Sequence, residues 1–246
     1  VENPTRNPDL GTVETNEVTG ALDDRGPIAA GGSSPFTADV WMKGSGTQGT
    51  APEYGPLLIG CAMAETLLGT AVTGTASTGS ASSITLDTGD DDNLAIGMVI
   101  RLTAGTGSGQ SRVITALPGA DVVNVFPDWT VTPDATSVYS VDAQATYAPA
   151  STSLQTVSIY RYRNRSDAGN SKLDKVLGAA GTWTLNMPVR SPGRLSFSYR
   201  GQLSAPTDVT PPVAGVFDDV RPYPYLNAQT YLGSTAIKLN TLSMDF

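Results

Sequence analysis

The chain has 246 residues, a formal net charge of −8 and only 15% charged residues, and it carries 26 glycines and 17 prolines. Its single cysteine, Cys61, and its lack of histidine exclude an internal disulfide, the usual Cys/His zinc sites and any Ser-His-Asp or Cys-His relay. The acidic balance argues against a general phosphate-neutralising nucleic-acid binder, and no apolar run approaches the roughly 20 residues that span a bilayer as a helix.

Low charge with abundant Gly, Pro, Ser and Thr favours many short strands joined by turns. The start, Val1-Glu2-Asn3-Pro4, is acidic and polar, so no secretory signal is expected. Residues 1–35 are rich in Pro, Gly, Asn and Asp and predict an extended arm with little core of its own. Val13, Val18, Leu22 and Ile28 give that arm something to dock, so it is expected to be ordered only in an assembly. Residues 36–43 predict a strand. The one good helix is expected over Thr50–Gly69, where Leu57, Leu58, Cys61, Ala64, Leu67 and Leu68 recur at helical spacing. Thr50 and Glu53 have capping-box spacing, Pro56 would alternatively suit the first turn after Gly55, and Gly69 would stop the helix. Cys61 falls on the apolar face and is taken as a small core residue.

Residues 70–82 are low in complexity and predict a linker-like seam. A compact series of strands follows at 84–86, 98–103, 113–116, 122–126 and 138–141, and a second polar seam is expected at 144–153. Residues 73–142 are therefore expected to form a small β domain inserted into another. Within it, Gly105-Thr-Gly-Ser-Gly-Gln-Ser-Arg112 looks like a phosphate loop. Its spacing is G-x-G-x-G without a lysine, and β-branched runs flank it on both sides. A phosphate cradle needs a helix leaving the loop, so this stretch predicts a flexible hairpin tip. Asp90-Asp91-Asp92 lacks calcium-loop spacing and predicts a solvated turn. No cofactor and no metal site is expected.

The last third alternates most cleanly. Trp183, Leu185 and Met187 share one strand face, as do Leu195, Phe197 and Tyr199. In the strand from Val157 to Arg165, Val157 and Ile159 share parity with Arg161, Arg163 and Arg165, so the strand should run off the core into water or another subunit. Ile237 and Leu239 lie on one parity and Leu242, Met244 and Phe246 on the other, which suggests a bend near Asn240.

Four features in this order resemble the tail tube protein of long-tailed bacteriophages. They are the Pro-Glu-Tyr-Gly-Pro-Leu-Leu run at 52–58, the Gly-rich strand 181–187, Leu-x-Phe-x-Tyr-x-Gly at 195–201 and Ala-Pro-Thr-Asp at 205–208. The resemblance covers residues 11–72 and 145–246, and residues 73–142 resemble a small β module of phage structural proteins. It implies a mainly-β subunit, a β-sandwich or barrel with one flanking α-helix and long hairpins. It also implies virion location after assembly in the host cytoplasm, and stacked rings of six subunits around a lumen. The implied partners are the chain itself, a tape measure protein and other tail proteins, with phage DNA passing through unbound and no membrane involved. No enzymatic activity is implied.

Other readings stay open: another tail ring protein, or a carbohydrate-binding β module with Trp129 and Tyr139 as platforms. A carboxylate glycosidase is the remaining enzymatic route, but Asp218-Asp219 is an adjacent pair and does not suit it. Residues 1–72 and 73–142 carry −6 each, while residues 143–246 carry +4. Arg161, Arg163 and Arg165 are therefore expected to meet carboxylates of neighbouring subunits, such as Glu14, Glu17, Asp23 or Asp24.

Overall fold

The computed structural model describes residues 2–6, 9, 11–14, 28–29, 31–164, 171–210, 219–224, 226, 230–232, 235–237 and 241–245. The chain is mainly β, with several antiparallel sheets and a single short helix among the described residues. In chain order the strands are β1 (Glu2–Arg6), β2 (Thr12–Val13), β3 (Ile28–Ala29) and β4 (Ser33–Trp41), followed by helix α1 (Gly55–Ile59). Then come β5 (Met63–Leu68), β6 (Val72–Thr75), β7 (Thr78–Gly79), β8 (Ser83–Thr85), β9 (Val99–Ala104), β10 (Ser111–Gly119), β11 (Val122–Phe126) and β12 (Val138–Val141). The rest are β13 (Gln144–Pro149), β14 (Val157–Asn164), β15 (Ser171–Pro188), β16 (Arg194–Leu203), β17 (Thr207–Val209), β18 (Thr230–Leu232), β19 (Thr235–Ile237) and β20 (Thr241–Asp245).

One seven-stranded sheet runs β1-β4-β16-β15-β14, with β17 and β20 also on β15. The 18-residue β15 is its spine. Cross-strand rows on its inner face are Gly181–Tyr199–Phe36, Trp183–Phe197–Ala38 and Leu185–Leu195–Val40. These residues close one buried cluster with Leu58 and Cys61 of the helix segment. Asp174 and Val176 share that face with Trp183 although their parity differs. The register slips between Leu177 and Ala180, where Gly178 takes φ +57°, so a one-residue bulge returns the chain to the same face.

The N-terminal residues correct one expectation. β1 pairs with β4 through Thr5↔Thr37 and Arg6↔Phe36, and Asp9 exchanges main-chain hydrogen bonds with Ser33. The start of the arm is thus paired within a single chain. Main-chain bonds to the free edge of β4 need no apolar side chains. Val13 and Ile28 pair across β2–β3 but stay exposed. Val18 and Leu22 lie outside the described residues, as does the expected bend at Asn240.

The helix is far shorter than its periodicity predicts. α1 ends at Ile59, with Pro56 in its first turn and no side-chain cap, so Thr50 and Glu53 form no capping box there. Gly60 then presses against the sheet. A Cβ on it would lie 2.9 Å from Val157, and its carbonyl accepts from the Gly181 amide at 3.2 Å. Ala62 takes φ 59°, and Met63–Leu68 leaves as a strand.

Both expected seams are also strands. β5 pairs with β13 in six successive partners, from Met63↔Pro149 to Leu68↔Gln144. Beyond them β6 pairs with β12, so a two-stranded ribbon leads into the second sheet, ordered β6-β12-β9-β10-β11-β8-β7. That sheet is built from residues 72–141 and encloses its own cluster, including Met98, Ile100, Ile114, Val123, Tyr139 and Val141. Ribbon attachment yields a deletion test. Joining Thr66 to Thr146, which face each other across the ribbon, by a short Gly-Ser turn is expected to leave a soluble protein. Amide exchange in β4, β15 and β16 should match the parent, and loss of that protection would mean that the large sheet needs the second one.

Candidate assembly surfaces

The outward face of the large sheet is polar. Its central rows read Thr5–Thr37–Ser198–Thr182, then Asp39–Ser196–Thr184–Asp245, then Trp41–Arg194–Asn186–Ser243. The Thr5 and Thr37 hydroxyls meet at 2.5 Å. Arg194 donates to Asp39 at 2.6 Å and its guanidinium lies 5.7 Å from the Trp41 ring centre, so its charge is matched in place. The central rows are thus mainly hydroxyl-bearing with one neutralised arginine, and the cationic side chains of Arg200 and Lys175 stand at the far end of the same face.

The sheet ends in β1 on one side and β14 on the other. β14 alternates between its faces. Tyr160 and Tyr162 are exposed on one side, while Ile159, Arg161 and Arg163 point to the other. Within the chain, these two arginines already share a carboxylate. Arg161 and Arg163 both bind Asp174 of β15, at 3.3 and 2.8 Å, and the Asp174 side chain is 1% exposed. Arg161 stands directly opposite Asp174 in the register. Arg163 keeps half of its side chain in solvent. Glu14 is exposed, and Arg165, Glu17, Asp23 and Asp24 lie outside the described residues. Asp174 was missed by the sequence reading, although a lone acid between Lys172 and Lys175 is a usable signal. The antiparallel β14–β15 register puts it opposite Arg161.

The glycine-rich stretch forms the β9–β10 connection, as expected, but its tip is braced rather than loose. Ser137 donates to the Thr106 carbonyl at 2.7 Å and Thr106 donates to Asp134 at 2.8 Å. Hydrogen bonds from the Thr136 hydroxyl, the Thr136 amide and Thr106 hold the Asp134 carboxyl below its ordinary pKa. Arg112 faces inward. It donates to the Asp128 carbonyl at 3.0 Å and to Thr130 at 3.1 Å, and lies 5.3 Å from the Trp129 ring centre. Both expected sugar platforms are core residues, since Trp129 and Tyr139 are buried. The Tyr139 hydroxyl donates to Asp90 and accepts from the Asp87 amide, and burial followed by that carboxylate raises its pKa. The acidic triplet is thus partly recruited to the core.

Cys61 is buried, and its thiol donates to Tyr199 Oη at 3.2 Å while the Tyr199 hydroxyl donates to the Leu57 carbonyl. Burial raises the thiol pKa, with the hydrogen bond opposing it, so Cys61 pins the helix segment to the sheet and is no nucleophile. Asp218 lies outside the described residues. No helix among the described residues is long and apolar enough to cross a membrane.

What these surfaces define is a class: a mainly-β protein whose distinctive features are sheet faces and sheet edges. No protein-family model matches the chain, and no curated protein matches it.

Proposed function

We propose that this chain is a virion structural protein of the tail-tube type, without enzymatic activity. Its subunits would close into rings and stack into a conduit for DNA. One observation carries the reading: a long amphipathic sheet turns a hydroxyl-rich face to solvent and ends in two edge strands, one of which, β14, exposes Tyr160 and Tyr162. Edges of that kind invite pairing with another chain, and ring closure removes them. The hydroxyl-rich face suits a lumen through which DNA slides without being held. The motif order in the outer segments supports the same assignment, as does the exposed Val13–Ile28 pair, which is left for a neighbour. A tape measure protein is the expected occupant of the lumen before DNA.

Negative-stain images of concentrated protein are the test. Stacked tubes are expected. Changing Tyr160 and Tyr162 together to lysine should leave the melting temperature within a few degrees, because both are exposed, and should abolish tubes by charging the edge. Single rings that never stack would indicate a ring-terminating role. A protein that stays monomeric at every concentration and salt would sink the proposal.

A further inference from the structure

The outer face of the second sheet carries an apolar row. Val99 faces Val113 across β9–β10, and Val113 faces Phe126 across β10–β11. Ile114, Ile100 and Val125 take the alternate parity and fill the core, so this row points away from it. Ile96 stands beside the row, since the next residue, Gly97, donates its amide to the Ile114 carbonyl. Ile96, Val99 and Val113 are 58%, 38% and 43% exposed.

The C-terminal part of the chain reaches this row. At Pro224 it touches the large-sheet side through a bridge to Pro192, and at Thr241 it is back there as β20, on β15. Between these points lies the β18–β19 hairpin, which pairs Thr230↔Ile237, Tyr231↔Ala236 and Leu232↔Thr235. The Tyr231 ring meets the Phe126 ring edge-on, with centroids 5.6 Å apart and planes at 82°. A hairpin of three residues a strand is not stable alone in water and needs a platform.

The geometry points to a latch: Phe126, at the end of this row, is the docking point of the chain's own β18–β19 hairpin, with Tyr231 as its anchor. The second sheet is then held twice, by the β5–β13 ribbon and by this aromatic contact. The contact fixes its orientation relative to the large sheet, where a ribbon alone would leave it free to swing.

Hydrogen exchange followed by peptide mass spectrometry tests this on the full chain. Edge-to-face aromatic pairs contribute enough that Phe126→Ala and Tyr231→Ala should each speed exchange across 230–237 by roughly tenfold. Protection in β15 and β16 should not change. Joining Thr66 to Thr146, which removes the platform, should have the same effect on 230–237. If Phe126→Ala also exposes β9–β12 to exchange, the Tyr231→Ala result decides, because that substitution leaves the second sheet intact. Unchanged exchange at 230–237 in Tyr231→Ala would overturn the latch.

Discussion

Replacing Asp174 by alanine is expected to lower the unfolding free energy by about 1–3 kcal/mol, because two partly solvated guanidiniums lose their shared acceptor. Two guanidiniums converge on this one carboxylate, and the Nε of Arg161 is itself buried without a hydrogen bond. Without Asp174 the two positive charges face each other with nothing between them. Removing Arg163 should be milder, at about 0–1 kcal/mol, because half of its side chain is already in water and Arg161 still pairs with Asp174. Urea unfolding followed by tryptophan fluorescence measures both. Equal, small losses for the two variants would show that the cluster is only a solvated ornament. The same geometry changes what an assembly test can use. Charge reversal at Arg161 and Arg163 puts two new carboxylates beside the buried Asp174, so it should damage the monomer as well as any contact between subunits. The exposed tyrosines of β14 make the cleaner probe.

Much of the large sheet is legible because alternation is a local signal. Leu195, Phe197 and Tyr199 share a parity, and all three are buried where a period of two places them. The link between Trp183 and Asp174 is not local. It passes through the Gly178 bulge, which shifts parity, and the glycine is a visible hint only once the pairing is known. Residues 57–68 misled for a related reason. Leu57, Leu58 and Cys61 are apolar at helical spacing, and Leu68 extends the pattern. The strand partner that captures Met63–Leu68 lies about 80 residues on, at Gln144–Pro149. Short apolar runs fit either period, and tertiary pairing decides between them. The Ser/Thr/Ala-rich stretches near 72 and 144 looked like linkers because their side chains carry little pattern. Residues 144–149 nonetheless pair with β5 in the ribbon, and residues 72–75 pair with β12 in the second sheet. The candidate surfaces divide likewise. The arginines were visible as a parity, but their carboxylate is assigned only by the β14–β15 register, which sequence alone does not fix.

The same distinction between local and tertiary causes governs the glycine loop, and substituting Gly105 should expose it. A Cβ there would sit 1.8 Å from the Thr136 carbonyl oxygen, at a residue with φ +72°. Gly109 also has positive φ, +88°, but its added Cβ would meet nothing within 4 Å. Gly109→Ala therefore carries only the left-handed backbone cost of about 1–2 kcal/mol. Gly105→Ala carries that cost and must also move backbone, because the clash is with a carbonyl of a neighbouring segment rather than a flexible side chain. Overpacking of this kind adds about 1–3 kcal/mol. The Thr136–Ser137 stretch cannot yield cheaply, since Ser137 holds the loop through the Thr106 carbonyl and Thr136 donates twice to Asp134. Gly105→Ala should thus speed amide exchange throughout β9, β10 and β12, well beyond Gly109→Ala, while β15 and β16 stay protected. Addition of ATP, GTP or NAD should alter exchange in neither variant nor in the parent, because Gly105 serves close backbone approach and no helix leaves the loop to receive a phosphate. Comparable effects of the two substitutions would refute the steric account, and protection of residues 105–112 by a nucleotide would restore the phosphate-loop reading.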